Sequence, residues 1–306
     1  MLDNIPTFPN FRLFLIDDIN WYEQYYYDNK LNPYVDIHPA NLFVWLDMNN
    51  DLGISKIDNC LIISYTNSLD GKEKNMIPIS ENITDDIIGK IFLYQQKNNL
   101  PNAIKEIPSI SCQCISTIKW VTENNRNSFE YILDNNQQFD LIGDHFYHTR
   151  NFIKRHETDD IEVKFYEEFN DGIKNEFLHH IETKDLTIHD SSQYDNFELI
   201  AIKRNLEYAD IFKKKAMIIK INGEVVSLSM IAYLDDKTAA INHLKVDYSI
   251  KDIFRYTVYQ LAKNLLDRGI TEMNFEQDLG IEGMRKFKEL LKPSRFLEKV
   301  TIKPRG

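Results

Sequence analysis

The sequence predicts an α/β protein (α+β in detail) of two tandem domains with mixed, mainly antiparallel sheets. Three observations lead there. The chain has 306 residues, more than one ordinary domain holds. Its second half spells strand, two helices, three strands, helix, strand, helix, strand, which strictly alternating strand–helix folds do not. An Asn222-Gly223 pair sits between two alternating apolar runs and marks a hairpin, because both turn positions favour positive φ. With 43% apolar and 12% aromatic residues, a sizeable core is easily buried.

In the first half, helices are expected over Asp17–Asn29, rich in aromatics, and over Asp85–Lys97. Strands are expected at Cys60–Tyr65, Met76–Ile79 and Phe129–Leu133. In the second half, Ile161–Tyr166 reads as a strand, and 172–184 and 195–212 carry helical spacing. Ala216–Ile221, Glu224–Leu234 and Thr238–Val246 form a meander joined by Asn222-Gly223 and by Asp235-Asp236-Lys237. Ser249-x-x-Asp252 resembles a capping box before a helix carrying Phe254, Val258, Leu261 and Leu265, which Gly269 closes. Ile270–Glu276 alternates as a strand, Met284–Leu291 is a helix ended by Pro293, and Phe296–Ile302 is a final strand. This is the element order of a GNAT-type acyltransferase domain, and a similar domain is expected in the first half. The division is expected at residue 140, giving domains 1–140 and 141–306, with 141–156 as a connecting helix and an extensive interface between the halves.

Asp and Glu number 47 against 36 Lys and Arg, so the net charge is −11. That argues against a general binder of nucleic acid or anionic membrane, which needs a basic face, and leaves room for a local basic patch. An acidic N-terminal stretch without a cationic start and apolar core argues against a secretory signal, and no apolar run reaches membrane-spanning length. Three cysteines include Cys112-x-Cys114 without a second pair for zinc. His145 and His148, and the stretch Glu176, His179, His180, Glu182, lack a third ligand in register, so no metal is expected. The reading is a reduced, cytoplasmic protein without an integral membrane segment.

Three segments carry a resemblance: HPANLFVWLD (38–47), NSFEYILDNNQQFDLIGDHFYHTRNFIKRH (127–156) and NFEQDLGIEGMRKFKELLKPSRFLEKV (274–300). Together they resemble the bacterial DUF2156-like family named for its phosphatidylglycerol lysyltransferase C-terminal-type domain. The resemblance implies tandem GNAT-like domains and kinship with the aminoacyl-tRNA-dependent Fem-type ligases. Relatives read His-x-Glu-Lys-Ala-Asp where this chain has Asn242 to Asp247, so Lys245 and Asp247 match while Asn242 and Leu244 replace the imidazole and carboxylate. Leu290 and Leu291 replace hydroxyl residues on the last helix, where Lys286, Lys288 and Pro293 match. Arg150, Asn151 and Ile153 match a Lys-Arg-Asn-x-Ile pattern. Asp252-Ile253-Phe254-Arg255 is similar to an Asp-Leu-Met-Arg stretch of the lysyltransferases, which implies catalytic roles for Asp252 and Arg255.

A group-transfer site aligns an amine or hydroxyl with an activated acyl donor and needs a proton acceptor and donors to the oxyanion. Glu276 and Asp278, at the end of a strand, suit a general base or an amino-group binder; pairing with Arg285 is the plainer reading. Arg285 and Lys288 share a helix face within a basic segment that continues through Lys292, Arg295, Lys299, Lys303 and Arg305. That segment suits a lipid phosphate or a tRNA acceptor end, or is merely a solvated face. The catalytic set is therefore Glu276, Asp252 and Arg255. The substrate-binding set is Lys245, Asp247, Asn274, Asp278, Arg285, Lys288, Arg150 and Asn151. The loop 247–252 has no glycine and two acids, which is hostile to a diphosphate, so coenzyme A is disfavoured and no cofactor is expected. The leading reading is transfer of an aminoacyl or acyl group, with aminoacyl-tRNA as a donor and a small molecule or lipid headgroup as acceptor. The alternative is a catalytically degenerate binding protein for a metabolite, lipid headgroup or protein; a coenzyme-A N-acetyltransferase comes third.

Overall fold

The computed structural model describes residues 2–31, 33–46, 51–66, 73–183 and 192–306. Asp47 of the first quoted segment, Lys184 of the expected helix and the side chain of Glu182 lie outside what is described. The chain folds as two compact units. The first comprises Met1–Glu130, Gln277–Ile281 and Leu297–Gly306; the second comprises Tyr131–Glu276 and Glu282–Phe296.

The first unit runs β1 (Arg12–Leu13), α1 (Ile19–Asp28), α2 (Pro39–Asn41), β2 (Gly53–Ile57), β3 (Cys60–Thr66), β4 (Lys74–Ile79), α3 (Asp85–Lys97), β5 (Ile104–Pro108) and β6 (Trp120–Asn124). Strands β1 to β4 form an antiparallel sheet in chain order. The tyrosines of α1 can be buried because their phenols find backbone acceptors: Tyr22 donates to Ile37 O at 2.8 Å and Tyr25 to Ile79 O at 2.6 Å. Thr84 caps α3 by accepting from Ile87 N at 3.4 Å.

The second unit is built on β7 (Glu130–Asp134), α4 (Asn135–Asp140), α5 (Tyr147–Arg155), β8 (Ile161–Tyr166), α6 (Asp171–Thr183), α7 (Ser192–Glu207), β9 (Lys215–Ile221), β10 (Glu224–Tyr233), β11 (Thr238–Val246), α8 (Ile253–Leu266), β12 (Glu272–Asn274), α9 (Glu282–Leu290) and β13 (Arg295–Leu297). Its sheet has the order β13-β7-β12-β11-β10-β9-β8, antiparallel throughout β8–β11 and parallel between β11 and β12. The turn residues Asn222 and Gly223 have φ of 53° and 83°, as the hairpin demands. One sheet face packs Met217, Ile219, Ile231 and Ile241 against α8; the other packs Ala216, Ile218, Leu228 and Met230 against Ile202 and Leu206 of α7. The order β1-α1-α2-β2-β3-β4-α3-β5 repeats as β8-α6-α7-β9-β10-β11-α8-β12.

Several expectations change. The sequence divides the chain at residue 140, whereas the units divide after Glu130, because β7 buries Tyr131, Ile132 and Leu133 by pairing with β12. The expected connecting helix is only α5; Leu141 and Gly143, at φ of 53° and 101°, break the chain between it and α4. The expected final strand is two strands, β13 and then β14 (Lys299–Pro304), which returns to the first unit between β5 and β6. The capping box at Ser249 does not form: Ser249 bonds to Asp247, and Asp252 precedes α8 in the left-handed region, at φ 69°, without capping through its side chain.

Candidate functional site

The parallel pairing of β11 with β12 covers only Thr238–Ala240 and Glu272–Asn274, while β11 runs on to Val246. Just past the last pair, the β10–β11 register shifts: Met230 faces His243 but Ile231 faces Ile241, so Asn242 is the extra residue of a bulge. Bulges re-aim a side chain, and here the re-aimed group is an amide. Asn242 Oδ1 accepts from Lys214 Nζ at 2.5 Å, and its Nδ2 donates to Glu276 Oε1 at 2.9 Å. The orientation of the amide is fixed by chemistry, since an ammonium only donates and a carboxylate only accepts. Glu276, at φ 57° just beyond β12, is held by its own N–H donating to Asn274 Oδ1 at 2.8 Å.

Lys214 enters this chain from the residue before β9, and its side chain is fully buried. Burial holds its ammonium down to about 7, partly opposed by the charge of Glu276. Lys214 can therefore exchange a proton near neutrality. Beside it, the buried His243 ring meets Asn205 Nδ2 at 2.9 Å. Desolvation first, then Lys214 and Lys245, push that imidazole well below its ordinary range, so it stays neutral. One pleat further along β11, Lys245 pairs with Glu198 of α7 at 2.6 Å.

Of the sequence-predicted residues, Glu276 and Asn274 belong to this network, and Lys245 sits on the same strand. Asp247 accepts from Ser249 N and Oγ, at 3.0 and 2.5 Å. Asp252 pairs with Arg155 at 3.0 Å and faces His148 at 3.6 Å. Arg255 and Asn151 are half-buried without a polar side-chain partner among the described residues. Arg150 donates Nη1 to the carbonyls of Leu141 and Gly143, at 2.5 and 2.8 Å. Asp278 belongs to the first unit, where it is buried against Arg126 at 3.2 Å and accepts from Gly280 N. Arg285 is half-buried on α9. Lys288 is turned inward, donating to Phe275 O at 2.6 Å with its ammonium 5.8 Å from the Tyr131 ring centre.

Several cations of the basic segment are paired. Lys286 pairs with Glu282, Arg295 with Glu272 and Lys303 with Glu123, while Arg305 donates to Thr117 O. Lys299 is buried with Asp36 and Glu130 in the first unit. Sequence reasoning missed Lys214, the middle of three consecutive lysines. It also read Asn242 as a departure from relatives, although Asn242 is the bridge. Among the described residues no helix is long and apolar enough to cross a membrane, and no three His, Cys, Asp or Glu side chains form a metal-ligating group.

The repeated element order, and the parallel pair opening beside a bulge, define a GNAT-type acyltransferase-like fold of mixed, mainly antiparallel sheets. Residues 29–302 match the family model described as phosphatidylglycerol lysyltransferase, C-terminal, and the chain belongs to that family. A conserved protein of unknown function from Bacteroides thetaiotaomicron VPI-5482 has a similar structure, with TM-score 0.81 and 21% identity over 96% of this chain and 99% of that one. L-PGS from Bacillus licheniformis is similar at TM-score 0.51 and 15% identity, covering 80% of each chain. FemX is similar at TM-score 0.52 and 9% identity, covering 95% of this chain and 96% of that one. These likenesses concern the fold. No curated protein sequence matches the chain.

Proposed function

We propose that the protein transfers an aminoacyl or acyl group from an activated ester to an amine or hydroxyl acceptor, with Lys214, Asn242 and Glu276 as its acid–base centre. The observation that carries this reading is the buried Lys214–Asn242–Glu276 chain at the bulge where β11 outruns β12. An amine acceptor must lose its proton before it attacks a carbonyl, and a hydroxyl must lose one as it attacks. A lysine that ionises at about 7 is neutral often enough to take that proton, and Glu276 beside it favours the resulting ammonium. Family membership, with structural likeness to L-PGS and FemX, supports an aminoacyl-tRNA as donor and a lipid headgroup or small amine as acceptor. Coenzyme A suits the site poorly: in the loop before α8, Asp247 already takes the Ser249 N–H that a diphosphate would need.

A second reading, a binding protein without turnover, is favoured by the way Lys214, Asn242 and Glu276 satisfy one another. The test is incubation of the purified chain with tRNA charged with labelled amino acids, alongside phospholipid and soluble amine acceptors. Label in a new ester or amide that disappears in Lys214→Ala supports transfer. Saturable donor binding without any product would select the binding reading.

A further inference from the structure

A groove of about 460 Å³ opens on the second unit between α5, the loop that follows it and α8. None of the acid–base chain described above lines it. Arg150 and Lys154 lie one turn apart on α5, and both border the groove. Neither has a carboxylate partner among the described residues. The Arg150 guanidinium is already immobilised, because Nη1 holds the carbonyls of Leu141 and Gly143, leaving Nε and Nη2 to donate. A fixed fork loses little rotamer freedom when it binds an anion.

The rest of the lining adds two further features. Ile153, Ile161 and Tyr256 give an apolar floor, with Tyr256 anchored by its stack on Phe152 at 4.6 Å. Of the two acids at the groove, Asp159 is taken by His156 at 2.5 Å, whereas Glu157 has no partner among the described residues. Two cations without acidic partners, one such carboxylate and a short apolar floor match a small ligand of both signs rather than a polyanion.

We propose that this groove binds a small zwitterion, its phosphate or carboxylate held by Arg150 and Lys154 and its amine by Glu157. The inference invokes no group of the Lys214–Asn242–Glu276 centre, while Arg150 is also one of the residues that the sequence assigns to substrate binding. Calorimetry on the full chain tests it, with O-phosphoethanolamine, β-alanine, inorganic phosphate and ethanolamine as probes and phosphatidylethanolamine vesicles as the lipid source of the same headgroup. The expected result is saturable millimolar binding of at least one zwitterion, weakened roughly fivefold or more by Lys154→Ala. Glu157→Gln should reduce that zwitterion to the affinity of its anionic half alone. Both side chains are exposed, so these variants retain the fold. Binding of the free headgroup but not of vesicles assigns a soluble ligand; binding of both assigns a lipid. Lack of saturation with every probe, or unchanged affinity in Lys154→Ala, would overturn the proposal.

Discussion

Replacing Lys214 by Met separates the cost of the buried amine from its use. In the folded chain Lys214 ionises at about 7, against an ordinary 10.5. A difference of three to four units opposes folding by roughly 5 kcal/mol when the unfolded lysine is protonated and the folded one must stay charged. The sign follows from proton counting. Between the two values the unfolded chain holds a proton that the folded chain has lost, so stability rises with pH; below 7 the full penalty remains. From pH 6 to pH 9 the wild type should gain roughly 3 kcal/mol from this group alone. Methionine has similar length and no charge, so the variant loses that dependence but leaves Asn242 Oδ1 without its donor, at about 1–3 kcal/mol. Lys214→Met should therefore exceed the wild type by roughly 3 kcal/mol at pH 6 and match it near pH 9. Trp21, Trp45 and Trp120 all lie in the first unit, so their fluorescence does not report on this site. Hydrogen exchange of β9–β11 peptides, corrected for intrinsic rates, is the suitable assay. Parallel pH dependence in the two proteins would refute the reasoning.

Glu276→Gln should lower transfer about 100-fold while leaving β10–β11 exchange protection nearly intact, because a glutamine can still accept from Asn242 but carries no charge to favour the Lys214 ammonium. A transfer rate within threefold of wild type, roughly the scatter expected of a neutral change, would count against its role. Lys299→Met strands Asp36 and Glu130 without their buried cation and should cost about 3–5 kcal/mol in urea unfolding followed by tryptophan fluorescence. Burial raises the Glu130 and Glu106 carboxyls, so the contribution of these two groups to stability is largest in acid and falls as pH climbs through their raised values; the variant should be partly rescued by acid. Lys288→Ala removes the bond to Phe275 O and the contact with the Tyr131 ring, and should lower exchange protection at β12 by about 1 kcal/mol. Unchanged protection there would return Lys288 to the surface role that its sequence suggests.

The elements that the sequence shows plainly are those whose signals are local. Asn222-Gly223 specifies its hairpin by backbone chirality alone, and α3 matches the expected Asp85–Lys97 because Thr84 and the apolar spacing act within one helix. Strands set by distant pairing are hidden. Glu130–Asp134 looks like an ordinary strand of the first half, yet its partner β12 lies about 140 residues later, between residues 272 and 274. Phe296–Ile302 reads as one strand although the chain leaves one sheet and enters another at Glu298. The site was legible at Glu276 because a carboxylate at a strand end is conspicuous. Lys214 was not, since nothing in Lys213-Lys214-Lys215 says which ammonium is buried. Lys299 illustrates the converse: a residue of an apparently solvated basic segment proves fully buried among carboxylates.

The pH dependence of single-turnover transfer from a labelled aminoacyl-tRNA decides whether Lys214 is the base. If Lys214 takes the acceptor proton while Asn242 positions it and Glu276 favours its ammonium, the rate should rise with pH and level off above an inflection near 7, where the buried lysine becomes neutral. Lys214→Ala should abolish both the inflection and nearly all of the product. Product formed at the wild-type rate by Lys214→Ala, or a wild-type profile without an inflection near neutrality, would contradict the assignment of this centre.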